Sequence, residues 1–265
     1  MAIFATMSVS TTEITSTSLA SDNPIHQRQL FAYEKANEYV NGDLLEVGCG
    51  VGRGVEVLLK KCKSYTAIDK NETVLGSLQK QFPELTFISA SVPPFHGLET
   101  SSFDCLVTCQ VIEHVEDDRL FMEEVHRVLK PGGIAVITTP NIKMTLTRNP
   151  WHVREYTKEE LKELVKRKFS DVQLLGVYGD EKVNQYYERN KESVRKIMRF
   201  DVFDLQHKLP RSILQIPYEI LNRINRNRLQ ESNNGLVMEI TTKDFSLREA
   251  DDKCFDFFCV LKKSK

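Results

Sequence analysis

The sequence predicts an α/β protein: a doubly wound, mainly parallel seven-stranded sheet with helices on both faces and a helical insertion before the last strand. Three observations carry that prediction. From residue 25 to residue 178, short apolar runs alternate with segments of helical periodicity. The first apolar run ends in Glu46 and then Gly48, Gly50, Gly52 and Gly54, which reads as strand, tight turn and helix start. The second run ends in Asp69, about 20 residues after the first glycine, where doubly wound sheets place an acid that accepts ribose hydroxyls.

The elements follow in order. Residues 1–23 are rich in Ser and Thr and read as a disordered leader, with too little apolar surface to offset chain entropy. They lack the basic start and continuous apolar core of a secretory signal. One domain is expected over 24–265. It opens with a helix over His26–Val40, where Leu30, Phe31, Tyr33, Ala36 and Tyr39 recur at helical spacing. Strands are expected at Leu44–Val47, Tyr65–Asp69, Leu85–Ser89, Phe103–Cys109, Ile134–Thr139, Val172–Tyr178 and Phe255–Leu261. Helices are expected at about Arg53–Lys61, Asn71–Gln81 and Asp117–Leu129, the last stopped by Pro131, Gly132 and Gly133. Thr157 should cap a helix through Phe169, with Glu160 as its capping-box partner.

Residues 180–252 form too long a connection for a compact domain. Helical patterns occur there at about Val183–Phe200 and Ser212–Arg228, the second carrying Ile213, Leu214, Ile216, Ile220 and Ile224. This amphipathic insertion is a candidate lid, substrate platform or homodimer surface, and core packing is the bland alternative. Arg223, Arg226 and Arg228 read as the solvated face of its second helix.

Composition sets outer bounds. Hydrophobic residues make up 41% and charged residues 28%, with a formal net charge of −1, so no global field recruits nucleic acid. No apolar stretch is long enough to cross a bilayer. The six cysteines match no paired zinc spacing, and reduced thiols in a cytoplasm are the default reading.

Glycine spacing selects the ligand at the turn. A dinucleotide fingerprint reads G-x-G-x-x-G, whereas Gly48, Gly50 and Gly52 give G-x-G-x-G behind Glu46. An acid there repels a pyrophosphate and suits a ligand carrying an ammonium and a sulfonium. The stretch resembles the first motif of class I S-adenosylmethionine-dependent methyltransferases, and the resemblance extends over about Ile25–Phe169 and the final strand. It implies S-adenosyl-L-methionine as cofactor, with Glu46, Gly48, Gly50 and Gly52 around its methionine and ribose and Asp69 on the ribose hydroxyls. After the third strand such proteins commonly hold an Asp near adenine. This chain has none, leaving Ser89 or Ser91 as hydroxyls and Ala90 as a backbone contact. The L-K-P-G-G turn at Leu129–Gly133 is familiar from the same superfamily.

After the fourth strand, Gln110 is the expected contact near the transferred methyl. The segment Gln110-Val111-Ile112-Glu113-His114 looks like the E-x-x-E-H stretch of ubiquinone-biosynthesis O-methyltransferases, some of which bind a divalent metal. Gln110 replaces the first acid, so no metal site is expected, and Glu113 and His114 are read as bonding within the fold.

Methyl transfer asks the protein mainly for positioning, because the sulfonium is already activated. A high-pKa oxygen acceptor also needs a base. His152 is the candidate, with His114 and Tyr156 behind it, since it lies in the loop after the fifth strand at the expected substrate rim. The run Asn149–Thr157 resembles bacterial methyltransferases of glycan, lipid or secondary-metabolite pathways. The expected partner is a small-molecule methyl acceptor, methylated at oxygen. Two rivals stay open: a non-catalytic cofactor-binding regulator on the same fold, and a nicotinamide-dependent reductase.

Overall fold

The computed structural model describes residues 19–199, 201, 204–232 and 234–265. The expected leader lies outside these residues except for its end, where Ala20–Asp22 form a 3-10 turn with Ser21 and Asp22 buried. Helix α1 follows at Asn23–Ala36.

The core then alternates strand and helix: β1 (Asp43–Val47), α2 (Val55–Leu58), β2 (Ser64–Asp69), α3 (Glu72–Gln81), β3 (Thr86–Ser89), β4 (Phe103–Cys109), α4 (Asp118–Val128) and β5 (Leu129–Pro140). It continues with α5 (Lys158–Lys166) and β6 (Asp171–Gly179). The insertion holds α6 (Glu181–Met198), α7 (Leu205–Lys208), α8 (Arg211–Ser232), α9 (Asn234–Glu239) and β7 (Phe245–Glu249), before β8 (Asp256–Lys262) closes the chain.

Local chemistry sets most of these boundaries. Asn71, Asp117 and Asp180 each accept a backbone N–H from the first turn of α3, α4 and α6. Thr157 and Glu160 complete the expected capping box at α5. Around Leu129–Gly133 the chain does not leave the sheet as a separate turn. It bulges within β5, shifting register against Phe103–Cys105.

Among the described residues the strands form one eight-stranded sheet in the order β3-β2-β1-β4-β5-β8-β6-β7. The first five strands pair in parallel, and β8 runs antiparallel between β5 and β6. The mainly parallel, doubly wound prediction holds. The eighth strand is β7, an edge strand antiparallel to β6 within the segment expected to be a helical insertion.

Alternation splits the core into two layers. Leu44, Val107 and Val136 face α1, α2 and α3, while Leu45, Leu106 and Ile137 face α4 and α5. Strand order reverses between β1 and β4, and open α/β sheets bind ligands at the carboxyl ends flanking such a switch point. The insertion docks above this edge. Asp22 is fully buried against Arg223 at 2.9 Å and Arg226 at 3.0 Å, so these arginines of α8 are ion-paired and not a solvated face. Ile213, Ile216 and Ile220 on the same helix are more than half exposed. No described helix is long and apolar enough to cross a membrane.

Candidate active site

A cavity of about 810 Å3 opens at the switch point. Its floor is the turn after β1. Gly48 has φ +76°, and a Cβ there would lie 2.3 Å from the Val111 side chain, so only glycine fits. Gly50 has φ +49° and nothing within 4 Å of its Cβ direction, which leaves bare backbone open to a ligand.

Asp69, at the end of β2, braces the turn. Its Oδ2 accepts the Gly50 N–H at 2.9 Å and its Oδ1 accepts the Asn71 N–H at 2.9 Å. Each carboxylate oxygen retains a second lone pair for a hydroxyl. Ala90 joins from β3 through its N–H on the Asp69 carbonyl at 3.0 Å. Gln110, at φ +58° after β4, donates its N–H to the Thr138 carbonyl at 2.9 Å.

Gly48, Gly50, Asp69, Ala90, Gln110 and His152 therefore line one cavity. Three of the expected contacts do not. Gly52 packs on α3, where a Cβ would lie 2.4 Å from Leu78. Ser89, exposed at the end of β3, does not border the cavity, and Ser91 lines it instead.

Glu46 is the larger correction. It shares the face of Leu44, two residues earlier, and that face lies beneath α1. The carboxylate is fully buried, accepting hydroxyl bonds from Tyr33 at 2.7 Å and from Tyr65. Burial pushes it up to about 7, against the two tyrosine donors, which favour the charged form. Tyr33 itself borders the cavity and presses on Gly54, so Glu46 meets the ligand side only through this ring.

The cavity wall also holds a cluster of titratable side chains around His152. His152 Nδ1 lies 2.6 Å from Glu155 Oε1, and its Nε2 lies 2.8 Å from Asn149 Nδ2. Asn149 Oδ1 accepts the Trp151 N–H at 3.0 Å, which fixes the amide so that Nδ2 donates to the ring. The proton of a neutral His152 is thereby assigned to Nδ1, facing Glu155, and the lone pair to Nε2. Thr145 donates its hydroxyl to the other Glu155 oxygen.

Glu113 is buried nearby and accepts the Thr139 hydroxyl at 3.0 Å; burial pushes it up to about 7, opposed by His152. His114 places Nδ1 on the Trp151 carbonyl at 3.0 Å and meets the His152 ring edge-on at 4.9 Å. Glu113, His114 and His152 can bring one ligand atom each within 4.8 Å of one another. Both ring nitrogens of His152 are already hydrogen-bonded, which suits proton transfer better than metal ligation. Tyr156 is turned away: its hydroxyl donates to Asp118 at 3.1 Å, and burial pushes it far up. Cys49 and Cys109 border the cavity as neutral thiols, also raised by burial.

Sequence reading missed Tyr33, Asn149, Thr145 and Glu155. Asn149 and Glu155 had a signal: with His152 they recur at every third position of one loop.

The site's donor set fits a sulfonium nucleoside: an open glycine backbone and a carboxylate for sugar hydroxyls. Comparison with known proteins agrees. A methyltransferase-domain family model matches residues 45–137. A probable S-adenosylmethionine-dependent methyltransferase of Mycolicibacterium smegmatis is 31% identical over 176 residues, covering 63% of this chain and 68% of that protein. A thiol S-methyltransferase of Rattus norvegicus is 31% identical over 169 residues, covering 56% of this chain and 69% of its own length. Among solved structures, a SAM-dependent methyltransferase from Thermotoga maritima shares the fold, with a TM-score of 0.56, 15% identity and 91% of each chain covered. This chain belongs to the S-adenosylmethionine-dependent methyltransferases, and S-adenosyl-L-methionine is its cofactor.

Proposed function

We propose that this protein methylates an oxygen of a small-molecule acceptor, with His152 taking the acceptor's proton. The observation that carries the reading is the His152–Glu155 pair on the wall of the cavity that also contains Gly50 and Asp69. When bound, the cofactor supplies an activated methyl on a sulfonium, the difficult part of the chemistry. Backbone at Gly48 and Gly50, the Asp69 carboxylate and Ala90 would hold it, with Gln110 toward the methyl.

The chain's own task is to place and deprotonate the acceptor. An acceptor hydroxyl would replace the Asn149 amide as the donor to His152 Nε2 and pass its proton there. Glu155 then faces an imidazolium, which its charge stabilises. Glu113 and Asp256 add acid character to the same region, and Asp256 is held by Arg28 at 3.0 Å. Tyr186, Tyr187 and Tyr218 from the insertion cover the acceptor end and exclude water.

The test is turnover against a panel of phenols, sugars, thiols and amines, read as S-adenosylhomocysteine formed. Multiple turnovers with a hydroxylated acceptor, lost in His152→Ala at unchanged S-adenosylhomocysteine affinity, are expected. Turnover confined to thiols or amines would overturn the oxygen assignment. Cofactor binding without turnover would favour the regulatory reading.

A further inference from the structure

A second cleft of about 620 Å3 lies beside the acceptor end of the main cavity. The two share a ridge built from Met144, Thr145, Leu146, Tyr187 and Val194. The ridge is fixed in place, since the Tyr187 hydroxyl donates to the Met144 carbonyl at 3.0 Å. It also touches the base, because Thr145 donates to the Glu155 carboxylate that holds His152.

The far side of this cleft is basic. Lys143, Lys191, Arg195 and Lys253 line it against one acid, Glu188, which pairs with Lys191 at 3.2 Å. Among the described residues Lys143, Arg195 and Lys253 have no ion-pair partner. They come from three separate places: the turn after β5, helix α6, and the loop between β7 and β8. Cations converging from separate elements create a positive field over the cleft. The main cavity differs, for its Arg28 and Arg226 are matched by the buried Asp256 and Asp22.

We propose that this cleft receives the anionic end, a phosphate or carboxylate, of the methyl acceptor, whose hydroxyl reaches His152 over the Met144–Leu146 ridge. Arg195 offers a planar fork for an oxyanion, and the two lysines act as point charges beside it. The inference rests on the reading of the main cavity as cofactor and acceptor site.

The experiment is calorimetric titration of the protein saturated with S-adenosylhomocysteine, using phenol, phenylacetate, phenyl phosphate and inorganic phosphate. A triple variant, Lys143→Gln, Arg195→Gln and Lys253→Gln, is titrated in parallel. All three side chains are exposed, and an unchanged melting temperature confirms folding. Either charged ring should bind at least about tenfold tighter than phenol, and the variant should lose that preference while keeping its S-adenosylhomocysteine affinity. No charge preference, or a preference that survives in the variant, overturns the inference alone. Equal affinity for inorganic and phenyl phosphate overturns its acceptor part, because the ring then adds nothing. A wild-type protein that fails to bind S-adenosylhomocysteine overturns the cavity reading and this inference with it.

Discussion

Glu155 holds His152: its Oε1 lies 2.6 Å from the ring Nδ1, with both side chains largely shielded from water. Asn149 secures the other nitrogen, so the ring is locked from both ends before any acceptor arrives. His152→Ala is expected to lower kcat on the order of 100-fold, within the range of general-base contributions. Glu155→Gln should cost less, on the order of tenfold, since the imidazole stays but its partner no longer carries a charge. Both losses should fall on kcat, with S-adenosylhomocysteine affinity unchanged by calorimetry. A Glu155→Gln variant that loses cofactor affinity instead would mark Glu155 as structural.

Asp69 ties the glycine turn to β2 and presents its remaining lone pairs to the cavity. Asp69→Ala should weaken S-adenosylhomocysteine binding by roughly 1.5–3 kcal/mol, because charged hydrogen bonds to the ribose vanish. Part of that loss arises from release of the Gly50 N–H. Calorimetry at two salt concentrations checks the prediction, and unchanged affinity would remove Asp69 from the cofactor site.

Gly50 and Gly52 separate binding from folding. At Gly50 a Cβ meets no protein atom, so Gly50→Ala should fold with a penalty of about 1–2 kcal/mol for its positive φ. The added methyl then occupies ligand space, and cofactor affinity should fall sharply. Gly52→Ala drives a Cβ into Leu78 and should chiefly lower the melting temperature. Comparable cofactor affinity in Gly50→Ala and wild type would show that the turn does not approach the ligand.

These contrasts show what the sequence could and could not reveal. The seven expected strands were visible because each is an apolar run, and capping residues such as Asn71 and Asp117 marked where helices start. β7 was hidden: of Phe245–Glu249 only Phe245 is buried, and an edge strand paired on one side needs no apolar run. The glycine turn and Asp69 were legible because their spacing is fixed by backbone geometry. Glu46 was not, since its direction depends on which face of β1 lies under α1, a tertiary fact. The His152–Glu155 pair lay in plain sequence at a spacing of three, but loop residues at that spacing meet only when the chain turns. The basic cleft joins residues 143, 195 and 253, far apart in the chain and brought together by the fold alone.

Glu46 predicts a pH signature. Its carboxyl is held up near 7 by burial, and Tyr33 and Tyr65 donate to it. Unfolding returns the group to its ordinary range, so between about pH 4.5 and 7 the folded state binds more protons. The stability contributed by this group is therefore present at low pH and lost as pH rises through 7. Glu113, also raised to about 7, adds to the same trend. Tyr33→Phe removes a donor that favours the charged form. It should cost about 1–3 kcal/mol at pH 8.5 and less at pH 5.5, where the acid is protonated. Urea midpoints at the two pH values measure the difference, and an equal cost at both would show that Glu46 does not titrate in this window.

Asp22 predicts how the insertion is held. The carboxylate is fully buried and bridges Arg223 and Arg226 of α8 to the start of α1. Asn23 adds a second tether, donating its amide to the Val237 and Ile240 carbonyls at 2.7 and 2.9 Å. Asp22→Asn leaves two arginines facing a neutral group. The cost of breaking a buried pair runs to about 3–5 kcal/mol, and the partial exposure of both arginines places this one at the lower end, about 3 kcal/mol. The loss should fall mainly on the insertion, since the bridge ties α8 to the segment before α1. Limited proteolysis within residues 181–232 should accelerate while the affinity for S-adenosylhomocysteine changes little. The acceptor's KM should rise, because Tyr186, Tyr218 and Asn225 leave the cavity wall when α6 and α8 loosen. Replacing Arg223 and Arg226 by Gln in the Asp22→Asn background should add less than either change alone, as expected for partners in one ion pair. Global unfolding at the wild-type protease concentration would instead show that the insertion and the sheet form one cooperative unit.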